Sequence, residues 1–142
     1  IYIKINLNFK KMIISETPYR ISFFGGGTDY PNWYREFGGE VISTTIDKYI
    51  YITVRYLPPF FNHKYRIVYS KVETVKKVKD IKHIVVRELI KESKIKKGLE
   101  LHYDGDLPSK SGMGSSSSFI VGCMNVFLSL NKEKNNKEKL AK

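Results

Sequence analysis

Cysteine is almost missing from this chain. Cys123 is the only one in 142 residues. A lone cysteine excludes an internal disulfide and fits a reducing compartment. It falls in a helical apolar pattern, which reads as a small core residue rather than a nucleophile. Long apolar runs are missing too. None approaches the roughly 20 residues that a membrane-spanning helix needs, so no membrane partner is expected. Histidine is sparse, and His63, His83 and His102 show no metal-ligand spacing. Each is expected at the surface or at a strand edge. Arginine is scarce: only five of the 25 basic residues. Bidentate forks for bases or phosphates are correspondingly few.

That scarcity matters because the formal net charge is +11. Much of the charge is terminal. Residues 1–11 carry Lys4, Lys10 and Lys11 with no acid, and residues 131–142 carry five lysines against Glu133 and Glu138. Dispersed lysine reads as a solvated surface. An RNA-binding module would call for clustered arginine and aromatic base platforms, and neither is present. No nucleic-acid partner is expected.

What the chain does have is a glycine- and serine-rich loop, residues 108–118, that opens directly into an apolar run over residues 119–130. Gly112 and Gly114 let the backbone curl tightly and approach a ligand. A helix starting there offers unpaired N–H groups and the positive end of its dipole to an anion. The loop hydroxyls add donors. A flexible linker is the alternative, but linkers seldom run unbroken into an amphipathic helix. No Gly-Lys-Ser/Thr closes the loop, so it is not a Walker A motif.

Along the chain, residues 12–24 are strand-like but broken by Pro18. Gly25, Gly26 and Gly27 form a turn or ligand loop. Residues 30–37 suit a short helix, with Pro31 in its first turn and Gly38 and Gly39 ending it. Residues 40–46 and 48–57 read as two strands, the second with Ile50, Ile52 and Val54 on one face and Tyr49, Tyr51, Thr53 and Arg55 on the other. Residues 65–69 read as a strand. Residues 80–94 read as a helix with a buried stripe of Ile81, Ile84, Val85 and Leu89. Residues 99–103 read as a strand leading to a turn at Asp104, Gly105 and Asp106. Phe119, Ile120, Cys123, Met124, Phe127 and Leu128 then face a core at helical spacing. The fold class is α+β, with helices packed on a sheet.

Three segments carry a resemblance. PSKSGMGSSSSFIVG resembles the second signature of the GHMP kinases, the sugar, homoserine and mevalonate kinase superfamily. TPYRISFFGGGTDYPNWY resembles the first, substrate-side signature. FGGEVISTTIDKYIYITV resembles the strand pair that follows it in the heptose-phosphate kinase branch. The resemblance spans about residues 14–130, and two signatures in order are far more specific than one.

The resemblance implies a ribosomal protein S5 domain 2-like amino-terminal domain, truncated. Residues 12–142 would form it, incomplete and without a carboxy-terminal domain. Translation would begin at Met12, with residues 1–11 an upstream extension. It implies ATP and Mg²⁺ as cofactors. Lys110, Gly112, Met113, Gly114, Ser115 and Ser116 would bind the nucleotide, and Ser115 would ligate the metal. Arg20 would lie near the transferred phosphoryl group and act in catalysis. Arg20, Gly26, Gly27, Thr28 and Asp29 would bind the sugar. Gly26 and Gly27 stand where galactokinases carry glutamate and histidine, which argues against galactose.

The implied parent is a cytoplasmic kinase acting on a sugar or sugar phosphate, best matched by the anomeric hydroxyl of D-glycero-D-manno-heptose 7-phosphate. That step would supply nucleotide-activated heptose for surface polysaccharide. The metal-binding glutamate, the third glycine-rich signature and the remaining groups of such kinases would lie further along, so these 142 residues alone are expected to be inactive. The alternatives are a non-catalytic remnant that binds nucleotide or sugar, and a fucose-type kinase of the same superfamily.

Overall fold

A computed structural model describes residues 12–108 and 111–131 of the chain. Strand β1, Met12–Phe24, runs straight through Pro18. Proline has no N–H for a ladder, which confines it to edge strands and bulges. Both conditions hold here: β1 is an edge of the sheet, and its register against the next strand shifts between Pro18 and Arg20. The expected break is therefore a slip in pairing rather than an end of the strand.

Helix α1, Pro31–Phe37, begins with proline in its first turn and ends at Gly38, whose φ is 72°. Strand β2, Ile42–Tyr56, follows as one 15-residue strand. The two strands expected over residues 40–57 are thus a single one, because Asp47 and Lys48 continue extended and β2 pairs with β1 on either side of them, at Thr45 and at Tyr49. Strands β3, Tyr65–Val68, and β4, Val72–Val75, form a hairpin. The sequence reading missed β4, a four-residue strand flanked by lysines and short of alternating signal.

Helix α2 spans Ile84–Glu92 and starts four residues later than expected. Residues 78–80 form a short 3₁₀ turn, and the His83 side chain caps α2 by accepting from the Val86 N–H. Ile81 is buried, but ahead of the helix. Ile84 is 65% exposed, and Val86 and Ile90 make the buried stripe instead. Strand β5, Leu99–Gly105, leads through the glycine-serine loop into helix α3, Ser115–Leu130.

The five strands lie in the order β1-β2-β5-β3-β4. All neighbours are antiparallel except β3 and β5. Helices α2 and α3 pack on one sheet face. Ile50, Ile52, Val54, Leu99, Leu101 and Ile67 point into that layer and are essentially inaccessible. They meet Phe119, Cys123, Val126, Phe127 and Leu130 of α3. Cys123 is fully buried, and burial pushes its thiol pKa up, so it is a core residue. Ile120, expected in the core, is 37% exposed and lies at the rim of a cavity.

The opposite sheet face is polar. There Glu100 is 2% exposed beneath Arg55, Arg66 and His102, all of which bond its carboxylate. Burial pushes this carboxyl upward, but hydrogen bonds from His102, Arg66 and Arg55 outweigh it and bring its pKa down to about 2.

Candidate active site

The end of β1, the end of β5 and the start of α3 meet at one edge of the sheet. Residues 105–108 leave β5 under the control of Tyr19, which is fully buried and donates its hydroxyl to the Leu107 carbonyl at 3.1 Å. A Cβ at Gly105 would come within 2.6 Å of that hydroxyl. Asp106 accepts the Tyr49 N–H at 2.8 Å, so it holds the turn in place. That agrees with a structural reading of this carboxylate.

The loop then closes on β1. Arg20 lies just past the register shift on the edge strand β1, and its N–H donates to the Met113 carbonyl at 3.1 Å. The Ser118 hydroxyl donates to the Pro18 carbonyl at 2.8 Å. Arg20 is exposed, and its Nε would lie 3.8 Å from a Cβ placed on Gly114. The structure thus brings Arg20 of the first signature against the loop of the second, residues almost a hundred positions apart.

The loop has the form that an anion needs. Gly112 and Gly114 have φ of 74° and 68°, a left-handed backbone that favours glycine. Gly114 sits at the N-cap of α3, and no side chain caps the helix. The first-turn N–H groups are therefore open, and the dipole adds positive potential. A Cβ on Gly112 would meet nothing within 4 Å, so the loop's outer surface is clear. Ser111 Oγ is buried with no hydrogen-bond partner among the described residues. Ser115 is half-buried and Ser116 exposed, both facing a cavity. Met113 is half-buried against the core, and it contributes its carbonyl to Arg20. Lys110 lies outside the described residues. An orphan hydroxyl, an uncapped helix start and a glycine-cleared surface together suit a phosphate chain. For a metal, the described loop residues 111–118 offer side-chain hydroxyls and no carboxylate. The described residues contain no group of three or more His, Cys, Asp or Glu suited to an ion.

The glycine turn after β1 is organised differently. A Cβ on Gly25 would strike the Glu40 carbonyl oxygen at 1.8 Å. The Thr28 hydroxyl donates to the Gly25 carbonyl at 2.8 Å and reaches the Glu40 carbonyl at 3.1 Å. Asp29 accepts the Gly27 N–H at 3.1 Å through one oxygen, and among the described residues no hydrogen bond is made to the other. Gly26 and Gly27 would each accept a Cβ with no neighbour within 4 Å, although Gly27 has a φ of 105°. Among the described hydrogen bonds none links this turn to the phosphate-type loop. The two halves of the expected site therefore meet at Arg20 and not at the turn.

Beside Ser115 and Ser116 lies a cavity of about 270 Å³ that the sequence reading did not find. Tyr69, His83, Val85, Tyr103 and Phe119 wall it. His83 sits between Tyr69 and Phe119, with ring centroids 5.0 and 5.2 Å away. Tyr103 meets Phe119 edge-on at 5.2 Å. Burial, reinforced by the Tyr19 hydroxyl, pushes the Tyr103 phenol up to about 12, so it stays neutral. Burial likewise lowers the His83 pKa. These walls come from four separate elements and loops, which is why no local motif announces them.

The profile of the family described as "GHMP kinases N terminal domain" matches residues 74–142. Residues 74–142 of this chain are thus similar to a GHMP kinase amino-terminal domain. A curated relative, the D-glycero-alpha-D-manno-heptose 7-phosphate kinase of Campylobacter jejuni, is 28% identical over 82% of this chain and 37% of its own length. The structure of a D-glycero-D-manno-heptose 1-phosphate kinase from Bacteriodes thetaiotaomicron superposes with a TM-score of 0.76. It is 18% identical, over 90% of this chain and 45% of that one. A Campylobacter jejuni protein solved as a candidate sugar kinase gives a TM-score of 0.70 at 26% identity, over 95% of this chain and 46% of that one. The chain thus spans between a third and a half of the length of these relatives. The matched residues begin within β4 and take in the loop before α3, while the likeness to the two solved structures extends over most of the sheet. Among the described residues, no helix of the domain is long and apolar enough to cross a membrane.

Proposed function

We propose that this GHMP domain forms the nucleotide-holding and sugar-holding part of an ATP-dependent sugar kinase of the cytoplasm. The carrying observation is the docking of Arg20 on an uncapped, left-handed glycine loop, through the Arg20 N–H to the Met113 carbonyl at 3.1 Å. Phosphoryl transfer depends on positioned phosphates and on positive charge where negative charge develops. The loop N–H groups and the Ser111 hydroxyl are suited to hold the phosphates. Ser115 and Ser116 would offer their hydroxyls to the phosphates and to Mg²⁺, which accepts one or two protein oxygens beside water and phosphate. When bound, Mg-ATP supplies the phosphoryl group and the charge that neutralises its oxygens. The aromatic cavity beside Ser115 suits the nucleoside, since it is adjacent and walled by rings. Arg20 is placed to steady charge on the transferred group. Asp29, with one oxygen open, would accept hydrogen bonds from the sugar hydroxyls.

For the sugar, the curated relative's name supports a heptose 7-phosphate as acceptor, and the anomeric hydroxyl is the position that the resemblance of the two signatures implies. The small residues Gly26 and Gly27 leave the room that such a sugar requires. A fucose-type acceptor is the second reading, and a panel of sugars separates the two. The deciding test uses a version extended to its relatives' length, supplied with Mg-ATP and heptose 7-phosphate, fucose or galactose. ATP-dependent phosphorylation of the heptose is the expected result. Preference for galactose would remove the sugar assignment. Undiminished turnover in Ser115→Ala and Gly114→Val would remove the phosphate loop, while circular dichroism checks that both variants fold. A non-catalytic nucleotide-binding remnant would bind Mg-ATP and phosphorylate none of the sugars.

A further inference from the structure

Glu73 is a buried charge at the back of the aromatic cavity, and the phosphate loop does not explain it. It stands on β4, is 8% exposed, and forms no salt bridge with any described residue. Its carboxylate instead accepts three hydrogen bonds. The Tyr69 hydroxyl donates at 2.8 Å, the Lys82 N–H at 2.6 Å and the His83 N–H at 3.0 Å. Burial raises the carboxyl pKa, but these donors outweigh it and hold it below the usual value. Glu73 therefore stays ionised without a salt bridge among the described residues, and two of its three partners, Tyr69 and His83, belong to the cavity walls.

Two polarities follow. Tyr69 gives its only hydroxyl proton to Glu73, so its oxygen is left to accept from a ligand. His83 Nδ1 accepts the Val86 N–H at 3.4 Å, so the neutral ring carries its proton on Nε2 and is left to donate. The two rings also fix each other, edge to face at 5.0 Å. An acceptor beside a donor, between aromatic rings, complements a base edge that carries an amino group next to a ring nitrogen. Adenine has such an edge. Hypoxanthine has a carbonyl where adenine has the amino group.

We propose that Glu73 is a positioning residue for the nucleotide: by taking the Tyr69 proton and the His83 backbone N–H, it sets the cavity to read the amino-bearing edge of an adenine-type base. This rests on the reading that the cavity and loop take ATP. Unlike that reading, it assigns the base preference to a residue that touches no ligand.

The test measures binding to the 142-residue chain of Mg-ATP, Mg-ITP and inorganic triphosphate, for wild type, Glu73→Gln and Tyr69→Phe. Wild type should bind ATP about tenfold tighter than ITP, the scale of one well-placed hydrogen bond lost in a buried site. Glu73→Gln should weaken ATP about tenfold and close that gap. Inorganic triphosphate, which uses only the loop, should bind all three proteins alike. Melting temperatures are recorded in parallel. A purely structural carboxylate would lower the melting temperature and leave the ATP-to-ITP ratio untouched, which would overturn the proposal. If Glu73→Gln does not fold, Tyr69→Phe decides, because it removes one hydrogen bond and keeps the ring. An unchanged ratio in Tyr69→Phe overturns the assignment. Triphosphate binding without any preference for ATP over ITP in wild type sinks this proposal and leaves the phosphate loop standing. Failure of wild type to bind either triphosphate or ATP overturns both.

Discussion

Two glycine-rich turns flank Arg20, and in sequence they look alike. The structure uses their glycines in different ways. In the turn after β1, Gly25 is required by contact, since the Glu40 carbonyl occupies the space of its Cβ. The polar side chains of that turn bond mostly within it: Thr28 to two carbonyls, Asp29 to the Gly27 N–H. In the loop before α3, Gly112 and Gly114 are required by their φ, and no atom crowds them closer than ordinary contact. The polar groups there are left open among the described residues: a Ser111 hydroxyl with no partner and an uncapped helix start. A turn whose polar groups are satisfied internally holds the fold. A loop whose groups remain open in a place shielded by structure is suited to a ligand, because burying unpaired donors is costly unless something binds them.

The sharpest way to break this contrast is Gly25→Val. The side chain would clash with backbone, which cannot move like a flexible side chain, and it would force a β-branched residue to a φ of 82°. Overpacking and left-handed strain together should cost about 4 kcal/mol. A urea unfolding curve measures it. A loss below about 1 kcal/mol, the size of an ordinary surface-to-typical effect, would mean that the turn relaxes and is not a fixed part of the fold.

The next effect concerns a polar group satisfied on the far face of the sheet. Glu100 has a folded pKa of about 2, well below its ordinary value of 4.5. The sign follows from linkage. The unfolded chain takes up the proton first as pH falls, so the stabilisation is complete above about 4.5 and is lost progressively down to about 2. The amount is about 3 kcal/mol at most, from the size of the shift. Glu100→Gln should flatten the acid limb of a stability-against-pH curve between those values. An unchanged acid limb would show that Arg55, Arg66 and His102 do not hold the ionised form.

How much of this contrast could be read from residues alone depends on locality. The left-handed loop, the proline-started α1 and the alternation of Ile50, Ile52 and Val54 are local, and each is found where expected. Helix α2 starts later than its apolar stripe suggests, because Ile81 is buried but precedes the helix and so extends the stripe backward. Ile120 was assigned to the core because it is apolar at helical spacing, whereas it lines the cavity rim. The aromatic cavity itself was invisible, because Tyr69, His83, Tyr103 and Phe119 are brought together only by the sheet order β5-β3-β4 and the packing of α3. Likewise, Arg20 and Gly114 each stand out locally, but they meet only where α3 packs on β1, a long-range contact that no local pattern predicts.

Gly114→Ala should then separate strain from ligand loss within the second loop. A Cβ there would meet Arg20 atoms at 3.6 Å or more, an ordinary contact, so only the φ of 68° opposes it. That strain should cost about 1–2 kcal/mol. Affinity for Mg-ATP should fall more than the modest stability loss suggests, by roughly tenfold, because the first-turn N–H groups shift away from the phosphates. Calorimetric titration alongside thermal melting checks both numbers. A stability loss with unaltered ATP affinity would mean that the loop shape does not serve the nucleotide.

The smallest effect on the fold should come from Gly26→Ala. A Cβ on Gly26 would meet nothing within 4 Å, and its φ is not in the left-handed range. The stability change should stay within about 0.5 kcal/mol, as for an unencumbered surface site. If the space beside Gly26 is the room left for a sugar, the added methyl enters that room and not the protein. The KM for heptose 7-phosphate, measured in a version extended to its relatives' length, should rise several-fold, on the order of one misplaced methyl group in a binding pocket. The KM for ATP should not move. A stable variant with unchanged kinetics for both substrates would show that the open side of the first turn faces solvent, and the sugar would have to be sought elsewhere around Arg20.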